Sequence, residues 1–144
     1  MAKAYELGFG RKMMNALAGA SIRFGLGDKR FHQLTVKGRT SGRPLSTPVI
    51  VQPFDGKRWI VSPYGDRAWT KNARAAGQVT LRRGGRSELV PLSEVDAGAA
   101  APVLREYLRA TPITKGYFDV TPDASLDAFA AEAPRHPVFL ITDL

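Results

Sequence analysis

Residues 36–51 read VKGRTSGRPLSTPVIV, a basic segment rich in glycine and hydroxyl side chains, set between stretches with the composition of buried strands. Arg39 and Arg43 stand four apart around Thr40, Ser41 and Gly42, and the apolar run Val49, Ile50, Val51 follows at once. The pattern G-x-x-x-x-G-K-[ST] is absent and a strand follows where a P-loop would have a helix, so the segment is not a P-loop. It reads as an elaborate hairpin, and a hairpin at this point directs the fold toward antiparallel strands.

Working outward, further strand-like runs span 31–36, 47–54 and 58–62, the last two joined by the turn signal Asp55-Gly56. Residues 78–82 and 87–95 flank Gly84-Gly85 as a second hairpin, and PVFLIT at 137–142 closes the chain as a buried strand. Helical spacing is expected over 67–76, stopping at Gly77, then over 97–110 and 123–133. Met13, Met14, Leu17, Ala18, Ile22 and Phe24 recur near helical spacing and predict an N-terminal helix at about 11–24. About six strands joined by local hairpins predict an α+β fold, mainly a small antiparallel barrel whose open ends the helices cover. At 144 residues the chain is expected to form a single domain over 1–144.

Composition narrows the chemistry. The 21 Lys+Arg against 13 Asp+Glu leave +8, which favours an anionic partner. No cysteine is present, so disulfides, thiolate metal sites and thiol catalysis are excluded. His32 and His136 offer the only imidazoles, and without a carboxylate cluster in the sequence around them no metal site is expected. No Ser-His-Asp spacing is visible either, so a reaction here needs chemistry brought by a cofactor. Tyr5, Tyr64, Tyr107 and Tyr117 are scattered rather than interleaved with basic residues, so nucleic acid is not an expected partner. No run of roughly 18 apolar residues occurs, so no integral membrane segment is expected, although the stripe of the N-terminal helix beside Lys12 and Arg23 would suit weak surface association. The expected setting is the cytoplasm.

Two segments carry the candidate site. In the opening loop, Gly38 and Gly42 permit turns that aim backbone N–H groups inward, while arginine forks and the hydroxyls of Thr40, Ser41, Ser46 and Thr47 suit a phosphate. On composition alone a solvated basic hairpin fits equally well. The second segment, Ser62-Pro63-Tyr64-Gly65, leaves a strand through a Pro/Gly turn, and Trp69 and Asn72 follow three apart on one helix face. An aromatic edge beside backbone donors suits a flat heteroaromatic ring; a lone tryptophan on a short helix is more often a core anchor.

Taken together, GRTSGRPLSTPV, DGKRWIVSPYG, W-x-x-N-x-R-A, VTLRRGGR and RHPVFLI, in this order over about residues 31–142, resemble the deazaflavin (coenzyme F-420) dependent nitroreductase family of actinobacterial oxidoreductases. The resemblance implies a split β-barrel. It also implies hydride transfer from reduced deazaflavin to a small electron-poor substrate such as a quinone, a nitroaromatic, or a conjugated enone or lactone. By the same resemblance, the cofactor phosphate goes to the loop of Lys37, Arg39, Thr40, Ser41, Gly42 and Arg43, with Pro48 behind it, and Arg39 is the strongest match. Thr40 stands where the family often has lysine, and Leu45 where some members have arginine.

Ser62, Pro63, Tyr64 and Gly65 would lie along the deazaflavin ring, supported by Trp69 and Asn72. Lys37, Arg39 and Arg43, with Lys71 and Arg74 as further candidates, would meet the phosphate and the glutamate tail. Tyr117 is the first candidate for proton donor or polar clamp, because the family places aromatic residues from this stretch over the substrate; Tyr64 is the second. Packing is an equally good role for both, and His136, ahead of a proline, reads as structural. Two other readings stay open: a flavin mononucleotide (FMN) enzyme on the same type of barrel, and a non-enzymatic carrier of an anionic ligand. A monomer and a homodimer are both compatible with the sequence.

Overall fold

The computed structural model describes residues 29–142. The helix expected at about 11–24 lies outside the described residues. Six strands, β1 (Phe31–Lys37), β2 (Pro44–Phe54), β3 (Lys57–Val61), β4 (Gln78–Arg83), β5 (Arg86–Glu94) and β6 (Val138–Ile141), close a barrel in the order β1-β2-β3-β6-β5-β4. Every neighbouring pair is antiparallel. Helices α1 (Ala68–Ala76), α2 (Ala97–Ala110) and α3 (Leu126–Glu132) accompany it, with short 3-10 turns at Pro112–Tyr117 and Ala133–Arg135.

Alternation along the strands sorts side chains into two cores. Leu34, Val36, Val49, Val51, Ile60, Val79, Leu81, Val90, Leu92, Phe139 and Ile141 point inward and fill the barrel. Phe31, Ile50, Trp59, Val61 and Val138 point outward and pack under Val103, Leu104, Tyr107 and Leu108 of α2 and Phe129 of α3. Strands buried on both faces need no polar alternation, which is why VIV, WIV and VFLI are continuous apolar runs. On the opposite wall no described helix covers the outward residues of β4 and β5, and Leu89 is 54% exposed.

The helices were expected to cover the barrel's open ends, and among the described helices only α1 does so. Its Ala73 belongs to the interior core and Trp69 packs against it, while α2 lies along the outer wall. Asp55 and Gly56 both take positive φ, 54° and 71°, between paired Phe54 and Lys57, as the Asp-Gly signal predicts. Strand β2 starts at Pro44, earlier than its apolar run, because Leu45 and Ser46 pair with Val36 and Thr35 and the Thr35 and Ser46 hydroxyls lie 2.8 Å apart. No described helix is long and apolar enough to cross a membrane.

Candidate functional site

The β1–β2 loop closes on itself. Gly38 N–H donates to the Arg43 carbonyl at 2.8 Å, Gly42 N–H to the Gly38 carbonyl at 3.0 Å, and Arg43 N–H to Ser41 Oγ at 3.1 Å. The Gly38 and Gly42 amides are therefore consumed within the loop. Gly42 does need positive φ, 73°. Gly38 is required for space instead: a Cβ there would stand 2.7 Å from Ser41 Oγ and 3.3 Å from the Arg43 carbonyl oxygen.

What the loop offers is side-chain charge. Residues 31–54 contain no Asp or Glu. Among the described residues no carboxylate pairs with Lys37, Arg39 or Arg43. Arg39 is nevertheless held in place, because its amide N–H and its Nη1 both donate to Asn72 Oδ1, at 3.0 and 2.7 Å. Asn72 is buried on α1, so a fixed amide oxygen orients the guanidinium without neutralising it. Lys37 and Arg39 line a groove of about 620 Å³ on the barrel wall, together with Thr35, Gly42, Ala76 and Thr80. Thr40, Ser41 and Arg43 are exposed on the same loop. Pro48 lies further along β2, opposite Gln33, and does not border the groove.

Two other arginines near the barrel, Arg58 and Arg74, are neutralised by carboxylates. Arg58 binds Glu88 through both Nη atoms at 2.9 Å. Arg74 binds Glu94 at 2.6 and 3.0 Å and Asp66 at 2.8 Å. The Thr70 hydroxyl, and after it Arg74, hold the Asp66 carboxyl below its ordinary value. Arg74 is thus committed to two carboxylates and is not the groove cation the sequence suggested.

Turn 62–65 leads directly into α1. Ser62 is buried, its N–H donating to the Pro137 carbonyl at 2.8 Å and its hydroxyl to the Gly65 carbonyl at 2.5 Å. Gly65 takes φ 95°. Tyr64 meets Tyr117 edge to face, with ring centroids 4.7 Å apart at 79°. The two tyrosines named from distant parts of the chain therefore form one pair, half-buried against the outer core. Trp69 lies against Phe139, centroids 5.7 Å apart, so it anchors α1 to the barrel interior while Asn72 reaches the loop. Asn72 sits four residues into α1, about 6 Å along its axis from Ala68 at ~1.5 Å per residue, and the turn lies just before the helix start.

Sequence reasoning passed over Glu132. Its Oε2 lies 2.6 Å from His136 Nε2 and 2.5 Å from an Arg135 Nη, and accepts from the Asp119 N–H at 3.3 Å. The Glu-to-His spacing of four was the available signal, but a glutamate at a helix end ordinarily faces solvent.

Residues 12–121 match the model of a family described as F420H(2)-dependent quinone reductase. No curated protein matches the chain. Among solved structures, one described as a domain-swapped dimer is similar at 18% identity, covering 93% of this chain and 97% of that one, with TM-score 0.58. An F420-H2 dependent reductase is similar at 18% identity over 81% of this chain and 97% of that one, TM-score 0.57. A NimC/NimA family protein from Clostridium acetobutylicum is 17% identical over 78% of this chain and 73% of that one, TM-score 0.53. At such identities these structures speak to the fold, and they share the split barrel with flanking helices.

Proposed function

The chain belongs to the family of coenzyme F-420 dependent quinone reductases, and from that premise we propose that it reduces a small electron-poor acceptor, a quinone first, with conjugated enones or lactones and nitroaromatics as related classes. It is an oxidoreductase, and its cofactor is the deazaflavin coenzyme F-420. The observation that carries the site assignment is the β1–β2 loop: three cations with no carboxylate partner among the described residues, one of them oriented by a buried amide at the edge of a groove.

The donor set fits a phosphorylated, acidic cofactor. Lys37, Arg39 and Arg43 would hold the phosphate and the acidic tail, with the Thr40 and Ser41 hydroxyls as further donors and Gly42 giving the loop its turn. Ser62, Pro63, Tyr64 and Gly65 would border the ring from the other end of α1, and Trp69 would hold that helix in place. Bound in its reduced form, the coenzyme supplies a hydride. Tyr117, with Tyr64 against it, would cover the acceptor, exclude water and give a proton from its hydroxyl to the oxygen or carbon that gains charge.

Three measurements test this. Oxidised coenzyme F-420 and FMN are titrated in parallel, with tight binding expected for the deazaflavin alone. A reduced coenzyme deuterated at its transferring carbon is then supplied with an unsaturated lactone, and the label is expected on the product, the second hydrogen coming from solvent. Tyr117→Phe should leave the coenzyme Kd in place and lower kcat by about 10²- to 10⁴-fold. Product without label would overturn the reductase chemistry, and a loss under about threefold would remove Tyr117 as the proton donor.

A further inference from the structure

His136 is the most completely engaged polar side chain near the tyrosine pair, and the function described so far does not use it. It is 2% exposed. Its Nδ1 lies 2.8 Å from the Pro63 carbonyl oxygen and its Nε2 2.6 Å from Glu132 Oε2. Its ring stacks on Phe118, centroids 3.9 Å apart at 13°. A carbonyl oxygen only accepts, so Nδ1 must carry a hydrogen. The state of the group facing Nε2 follows from the company Glu132 keeps. Burial pushes its carboxyl up, but hydrogen bonds from Arg135, His136 and the Asp119 amide outweigh that and hold it below the ordinary carboxylate value. Glu132 is therefore held as a carboxylate, with its Oε2 against Nε2.

A histidine fixed at both nitrogens and on one face has a determined position, and what it touches gives that position a use. Pro63 immediately precedes Tyr64, and Phe118 immediately follows Tyr117. One imidazole thus holds the backbone beside one member of the tyrosine pair and the ring beside the other, although the two tyrosines are 53 residues apart in sequence. We propose that His136 is a positioning residue that sets the mutual geometry of Tyr64 and Tyr117 by donating to the Pro63 carbonyl while Glu132 and Phe118 fix its ring. This rests on the reading that the tyrosine pair covers the acceptor. A phenylalanine or leucine would fill the same volume, but would leave the Pro63 carbonyl without its donor and the turn free to shift.

The two nitrogens can be tested separately. An asparagine amide reproduces a donor near Nδ1, and a glutamine amide one near Nε2. His136→Asn keeps the bond to Pro63 and loses the one to Glu132; His136→Gln does the reverse. Selectively labelled tyrosine, observed by NMR in the cofactor-free protein, reports the pair directly, because an edge-on ring contact shifts the ring resonances. H136Q is expected to move the Tyr64 and Tyr117 signals and to lower kcat/KM for the acceptor by roughly 10- to 100-fold, the range for misplacing a group by about 1 Å. H136N, which keeps the donor to Pro63 but loses the stacked ring, is expected to move the tyrosine signals less than H136Q does and to lower kcat/KM by less. The coenzyme Kd should stay near the parent value in H136N and rise in H136Q, whose loosened turn borders the deazaflavin ring in the proposed function.

Tyrosine signals that stay put in H136Q, or that move equally in H136N, overturn the proposal. If H136Q does not fold, Phe118→Leu takes its place: it removes the stacking plane at similar volume, and unmoved tyrosine signals there overturn the proposal as well. Tyrosine signals that move while acceptor kinetics stay unchanged would keep His136 as the positioner and instead remove the pair from the acceptor site. Failure of the parent protein to bind the deazaflavin would overturn the functional reading alone, since the NMR comparison needs no cofactor.

Discussion

Arg39 and Arg135 both reach from the surface to a buried partner, yet the partner is an amide oxygen in one case and a carboxylate in the other. Asn72 holds Arg39 through two hydrogen bonds and leaves its charge intact. Glu132 and Asp119 together surround Arg135 with opposite charge. The first arrangement leaves the cation oriented and uncompensated, as the proposed cofactor role requires, and the second spends the cation on the fold. Neutral partners alone do not mark a binding residue, since Arg30 is held by Gln52, Thr111 and the Ala110 carbonyl; what distinguishes Arg39 is a neutral partner together with a place on the groove.

The largest effect that would break this contrast lies on the structural side. Glu132→Ala leaves His136 Nε2 and the Asp119 N–H facing a buried gap, while half-exposed Arg135 keeps Asp119. It should cost about 3 to 5 kcal/mol of stability, read by denaturant unfolding, while the coenzyme Kd of the folded fraction stays near its parent value. The acid side follows the same residue. The folded-state carboxyl lies below its ordinary 4.5, so its contribution is complete above that value and is lost as pH falls through the folded one. The Tm of the parent should drop on acidification more steeply than that of Glu132→Gln, with Asp66 and Glu88, also lowered, responsible for what both share. Parallel Tm curves would contradict the ionised Glu132.

On the binding side, Arg39→Ala should raise the coenzyme Kd roughly 10- to 100-fold, the worth of about 1.5 to 3 kcal/mol for a charge-assisted hydrogen bond. Its Tm and its kcat at saturating coenzyme should change little, and an unchanged Kd would falsify the phosphate-loop assignment. Asn72→Asp sharpens the comparison by making Arg39 resemble Arg135. The added carboxylate should weaken coenzyme binding by roughly tenfold and flatten its salt dependence, without loss of stability. The smallest effect is expected at Arg58→Ala, where an exposed pair with Glu88 is worth about 0 to 1 kcal/mol and the coenzyme Kd should not move.

Much of the barrel was legible because burial leaves a pattern in the sequence. The continuous apolar runs, Asp55-Gly56, Gly84-Gly85 and the alanine-rich stretch at 97–110 all mark elements that form. The start of β2 was not legible, since Pro44, Leu45 and Ser46 are exposed and pair through the backbone. In the site, Arg39, Asn72, Tyr64 and Tyr117 can each be named from the chain, but not their pairing. The Arg39–Asn72 contact spans 33 residues, and nothing local encodes it. Gly38 was legible as special for the wrong reason: its lack of a side chain serves the close approach of Ser41, whereas positive φ belongs to Gly42. Glu132 escaped notice because hydropathy assigns a glutamate to solvent, and its burial depends on three donors brought from two other turns of chain.

The clamp on Arg39 also bears on the time course of binding. An arginine side chain gives up about 2 kcal/mol of rotamer entropy when it is immobilised, and Asn72 immobilises this one when the chain folds rather than when a ligand arrives. Stopped-flow mixing with the oxidised coenzyme should then show one second-order phase whose rate rises linearly with concentration, without the saturating slow phase of a loop that rearranges after contact. With Asn72→Leu the guanidinium must be ordered during association, and the dissociation rate should rise more than the association rate falls.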